Sequence, residues 1–172
     1  MKFEHLVQIN DPSLSGVDWL TRQQLWFGLV ARAWKPTRFI LGLENAEIVQ
    51  THQRDNVTVL KRVLDYGPFK IEDITSLHEE ERTETTIVAN EFCGDSTLTI
   101  SIEEPEPGEL WLRFNYDVGE LSTKTLVNTQ PPSREDEEVR KQAYRASDID
   151  TVRMIRELAL TIPDDSDSRK DH

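Results

Sequence analysis

A chain of 172 residues suits one domain with a sizeable core. Its formal charge of −12 repels phosphate backbones and anionic lipid surfaces, which argues against nucleic acid and membrane partners. Its single cysteine, Cys93, excludes an internal disulfide and fits a reducing compartment.

The opening M-K-F-E-H-L-V-Q-I-N lacks the apolar core of a signal peptide. No apolar run approaches the roughly 18 residues of a membrane span. A cytoplasmic protein, monomer or homodimer, is expected. No phosphate-binding loop, dinucleotide fingerprint, nucleophile elbow or dithiol motif occurs. His5, His52, His78 and His172 lack ligand spacing, so no metal or cofactor is expected.

Residues 2–10 alternate, with Phe3, His5, Val7 and Ile9 on one face of a strand. A turn-rich loop follows. Thr21 stands three before Gln24, the spacing of a capping box. Leu25, Trp26, Leu29, Val30 and Ala33 then share a helical face, which Pro36 interrupts. A further short helical turn fits before Gly42. From 44 to 118 the period becomes two. Strands are expected near 45–54, 57–66, 69–77, 83–92, 97–103 and 109–118, with turns at Asp55-Asn56, Gly67-Pro68, the acidic run 79–81, 93–96 and 104–109. Such alternation means one dry face and one wet face. A polar loop over 119–132 leads to Ser133, a helix cap followed by four acidic residues. The helix should run to about Leu160. Residues 163–172 are small and charged and are expected to be a disordered acidic tail beyond a single domain over 1–162.

One strand, one or two short helices, about six more antiparallel strands and a long last helix describe an α+β domain. A curved antiparallel sheet of about seven strands would wrap around the C-terminal helix and leave space between them. A cystatin-like cone is the alternative, but it places its long helix early. The phrases F-E-H-L-V-Q-I-N (3–10), L-T-R-Q-Q-L-W-F-G-L-V (20–30), T-I-S-I-E-E (99–104), L-R-F-N-Y (112–116) and Y-R-A-S-D-I-D-T-V-R-M-I-R-E-L (144–158) occur in that order. In this the chain resembles the AtaL-like group of the SRPBCC superfamily, which comprises START, birch-pollen-allergen and polyketide-cyclase relatives. The resemblance implies a helix-grip fold and a cavity for a small hydrophobic molecule of lipid, polyketide or secondary-metabolite type. It carries no settled catalytic residues.

Tyr144, Asp148, Val152 and Ile155 lie on one face of the last helix. A carboxylate on that face has two readings. It is an acid or base in a cavity, or it pairs with a sheet arginine such as Arg62 or Arg113. His5 has the same two readings, general base or satisfied core histidine. Asp148, Tyr144 and His5 are therefore the candidate catalytic groups. Trp26, Arg62, Tyr66, Phe114, Tyr116, Tyr144, Asp148, Val152 and Ile155 are the candidate ligand-binding residues. Glu72 and Asp73 occupy opposite faces of one strand, and the pattern leaves open which points inward. Three functions compete: a carrier or sensor of a hydrophobic molecule, a cofactor-independent cyclase, isomerase or dehydratase, and a protein-interaction module in which Trp111 would be exposed among apolar groups.

Overall fold

A computed structural model describes residues 1–91, 94–119 and 134–161. The expected cap Ser133, the thiol Cys93 and the tail from 163 lie outside the described residues. The elements run β1 (Lys2–Gln8), α1 (Arg22–Trp34), a 3-10 turn (Pro36–Arg38), β2 (Asn45–Arg54), β3 (Val57–Asp65), β4 (Lys70–His78), β5 (Arg82–Ile87), β6 (Ser96–Glu103), β7 (Trp111–Val118) and α2 (Arg134–Ala159).

All seven strands form one curved antiparallel sheet in the order β1-β7-β6-β5-β4-β3-β2. β2 to β7 are a meander, and β1 closes the far edge against β7. The meander follows from short polar links. Asp55 and Glu80 hold φ of 54° and 58° at the tips of two hairpins. Gly108 takes φ 85° in the β6–β7 turn, a backbone state that glycine enters without steric cost. β5 is shorter than the expected 83–92. Its ladder stops because the Ala89 N–H donates to Asp95 Oδ1 instead of a neighbouring strand.

α1 begins as its sequence requires. The Thr21 hydroxyl accepts from the Gln24 N–H while Gln24 Oε1 accepts from the Thr21 N–H. Asn10, fully buried just past β1, ties the entry loop down. Its amide donates to the carbonyls of Leu20 and Gly108 and accepts from the Leu20 N–H.

The main core lies where β1, β7 and β6 meet both helices. Phe3, Val7, Leu25, Leu29, Leu112, Phe114, Val152, Ile155 and Ala159 fill it. Two smaller apolar clusters sit elsewhere. One joins Ala33, Leu60 and Leu77, and the other joins Leu43, Leu64 and Ile71. Burial along α2 begins only near Tyr144. Before that point Val139 is exposed, so the second half of the helix does the docking. That half packs chiefly on α1 and β1.

The two helices touch at Gly28. A Cβ placed there would meet Ile155 Cγ2 at 2.5 Å and Ile155 Cβ at 3.0 Å, so a side chain at 28 pushes α2 away. Gly28→Ala is expected to lower stability by up to about 2 kcal/mol despite the better helix propensity of alanine, because overpacking costs about 1–3 and propensity returns about 1. Urea unfolding of the two proteins checks it; equal midpoints would mean that the helices are not in contact there.

Candidate functional site

The inward face of the sheet carries Phe3 and His5 on β1, Phe114 and Tyr116 on β7, Leu98 and Ile100 on β6, Thr83 and Thr85 on β5, Asp73 and Thr75 on β4, and Leu60 and Arg62 on β3. At the β1–β7 edge these side chains are aromatic and meet α2. Across the middle of β4 and β5 they are small and polar, with Ile71, Leu77 and Ile87 nearer the strand ends.

Asp148 sits where α2 crosses the aromatic edge and is 1% exposed. Its two oxygens have separate donors. Tyr116 donates its hydroxyl to Oδ1, and His5 Nδ1 lies 3.0 Å from Oδ2. The expectation of an arginine partner for Asp148 is corrected here. Arg113 points to the opposite face of β7, where it pairs with Glu103 and Glu4. Arg62 is taken by Asp73, which answers the open question on β4: Asp73 is inward and Glu72 outward. The reason is register, since Arg62 and Asp73 stand directly opposite on β3 and β4.

Burial pushes the Asp148 carboxyl above its ordinary value; the bonds from Tyr116 and His5 oppose this without cancelling it. The Tyr116 hydroxyl is pushed up strongly, first by burial and then by the adjacent Asp148 charge. Burial also raises Tyr144, which stacks on Tyr116 with ring centroids 4.4 Å apart. Phe3 completes the aromatic group, 5.9 Å from Tyr116 and 6.3 Å from Tyr144. With Asp148 ionised, the Nδ1–H of a neutral His5 donates to it and leaves Nε2 as a free acceptor. The His5 side chain keeps 19% of its surface accessible.

The remaining candidates divide. Phe114, Val152 and Ile155 are packed in the main core. Trp26 is half-buried and touches both the main core and the Leu60–Leu77 cluster. Tyr66 stacks on Phe69 beside the third cluster, at 5.2 Å. Arg62 is buried with every side of its fork used: Nε and Nη2 donate to Asp73, and Nη1 to the Ala33 carbonyl at 2.8 Å.

One interior charge was not among the candidates. Arg32 on α1 stands three residues after Leu29 and four after Gly28, both buried, so it shares their face. A charged residue on an apolar helical face is the signal that marked Asp148, and it was present here too. Among the described residues no group of three or more His, Cys, Asp or Glu could hold a metal, and no helix is long and apolar enough to cross a membrane.

A surface cleft of about 430 Å³ lies at the other end of α2, lined by Val17, Trp19, Leu20, Arg153, Arg156 and Leu160 among others. None of the candidate residues lines it.

Residues 4–161 match the model of the AtaL family, described as acetylaranotin biosynthesis cluster protein L. The chain belongs to the AtaL family. It has the helix-grip fold of the SRPBCC superfamily. No curated protein matches the sequence. Among solved structures, it resembles the di-domain aromatase/cyclase StfQ of the steffimycin pathway (TM-score 0.62, 10% identity, 93% of this chain and 51% of that one). It also resembles the Zhui aromatase/cyclase of Streptomyces sp. R1128 (0.56, 12%, 92% and 93%). Ara h 8.0201 is a third (0.55, 14%, 94% and 99%). The chain thus spans about half of StfQ and nearly all of the other two. At such identities the likeness is one of fold.

Two measurements test the site. Asp73→Ala should destabilise the protein by about 3–5 kcal/mol, because it strands the buried Arg62 charge; a loss in thermal or urea unfolding below about 1 kcal/mol would mean the pair is not buried. The chain has three tyrosines. Tyr116→Phe should leave the 295-nm absorbance rise unchanged up to about pH 11, above the ordinary tyrosine range, because Tyr116 would ionise only on unfolding. A clearly smaller rise in the variant would contradict the Tyr116–Asp148 geometry.

Proposed function

We propose that the protein binds a small, largely apolar molecule in a hollow between the inward face of β4–β6 and the two helices, with the Asp148–Tyr116–His5 group at one wall. The observation that carries this reading is the exposure pattern of the inward face. Leu98, Thr85 and Ile87 point inward from central strands, yet each is only half-buried, as are Trp26 and Tyr144 across from them. Interiors normally close to crystal-like density. Inward side chains of a central strand that keep accessible surface face space. Small residues there, Thr75 and Thr85, do not fill it, and α2 docks on β1 and α1 to one side. Family membership and the fold shared with aromatase/cyclases and Ara h 8.0201 agree with small-molecule binding in general.

A second reading, acid–base catalysis on the bound molecule, is favoured by one observation: a buried carboxylate orients His5 and leaves its Nε2 free. That arrangement suits a general base. Its substrate would be an intermediate of polyketide or secondary-metabolite type. The interaction-module reading gains nothing from Trp111, which is half-buried opposite the polar Gln8 and Glu103.

The neutral fluorophore N-phenyl-1-naphthylamine should bind saturably to the wild type. Thr85→Trp, which would fill the hollow, should weaken it by about tenfold or more while circular dichroism stays unchanged. Saturable binding indifferent to Thr85→Trp would remove the hollow from the account. Native mass spectrometry of protein from its own host should show a co-purified small molecule.

A further inference from the structure

Among the described residues Arg32 has no hydrogen-bond or ion-pair partner. Its Nε is fully buried without a hydrogen bond, and no ion pair or hydrogen bond joins its guanidinium to another described residue. It is nevertheless surrounded by polar groups. The charges and hydroxyls that act on it are those of Tyr116, Arg62, Asp148 and Tyr66. Every acidic acceptor among them is already engaged. Asp148 uses one oxygen for Tyr116 and the other for His5, and the nearby Asp73 binds Arg62 with both.

The contrast between the two interior arginines is the argument. Arg62 brings its own counter-ion and a backbone carbonyl, so its burial is balanced within the chain. Arg32 acts on it electrostatically and has the same donors, with no acceptor among the described residues. An unsatisfied buried donor is costly, and a charged one more so. A guanidinium does not escape by losing its proton. Part of the Arg32 surface stays accessible, although the residue shares the buried face of α1 and its Nε is fully buried.

We infer that Arg32 anchors an anionic oxygen group of the ligand, so that the hollow selects acidic small molecules: an apolar skeleton bearing a carboxylate, sulfonate or enolate. This rests on the pocket reading above and adds the ligand's charge to it. The planar fork matches a two-oxygen acceptor. Trp26 and Leu98, both half-buried, offer apolar surface for the skeleton. The formal charge of −12 repels anions from the molecule as a whole, so a preference for an anion has to come from a local cation.

Two fluorophores that share a skeleton separate the contributions: 1-anilinonaphthalene-8-sulfonate, which is anionic, and N-phenyl-1-naphthylamine, which is neutral. The wild type should bind the sulfonate more tightly than the neutral probe. Arg32→Met should weaken sulfonate binding by about tenfold or more, the scale of a lost charge-assisted hydrogen bond, and leave neutral-probe binding intact. Arg32→Lys should fall between, keeping the charge but not the fork. Unchanged sulfonate affinity in Arg32→Met overturns the anchor and leaves the pocket standing. So does a wild type that prefers the neutral probe. A wild type that binds neither probe overturns the pocket itself. Loss of both probes in both variants makes Arg32 a structural residue and overturns the inference.

Discussion

The bond network at Asp148 joins the last helix to the first and last strands. Its carboxylate takes one donor from β7 and one from β1, so three elements far apart in sequence meet on a single group. The aromatic stack of Phe3, Tyr116 and Tyr144 surrounds that group and keeps water from it. Burial of the carboxylate is offset by these two donors, which an apolar replacement would leave unpaired. The polar contact therefore fixes where α2 crosses the sheet, and the apolar contacts of Val152 and Ile155 set how closely it approaches.

The same placement shapes the interior. Because α2 docks near the β1 edge, the middle of the sheet is left to α1 and to its own short side chains. A sheet that faced a centred helix would need large apolar residues on β4 and β5. Thr75, Thr83, Thr85 and Asp73 stand in the middle of that face, and its large apolar residues Ile71, Leu77 and Ile87 lie toward the strand ends. Interior charge follows a related division. Arg62 and Asp73 form a closed pair that gives β3 and β4 a fixed register, while Arg32 on α1 feels the charge of Asp148 without bonding to it.

Much of the architecture was legible because it rests on local periodicity. The alternation of Leu110 to Val118, the Thr21–Gln24 box and the four-four-three spacing of Tyr144 to Ile155 are short-range patterns, and each appears where the residues place it. The ends of strands were less legible. β5 stops early because the side chain of Asp95, six residues further on, captures the Ala89 N–H, which no alternation of residues reveals. Asp148 was recognisable as an anomaly on an apolar face. Arg32 carried the same anomaly, but its long aliphatic stem lets an arginine sit at the margin of an apolar stripe without a buried head group.

By itself, then, the order of periods determined an antiparallel meander closed by a terminal helix, since hydrophobic faces must be buried and short links admit few topologies. It also determined that Tyr144 and Asp148 share a face. Only the tertiary structure decided that Asp148 meets His5 and Tyr116 rather than an arginine, that Asp73 belongs to Arg62, and that Arg32 finds no acceptor among the described residues. Those outcomes depend on strand register and on the crossing position of α2. The His5–Asp148 contact and the β1–β7 register join residues more than a hundred positions apart, and even the Arg62–Asp73 pair, eleven apart, depends on a register that a one-residue slip would reverse, so no local pattern encodes them.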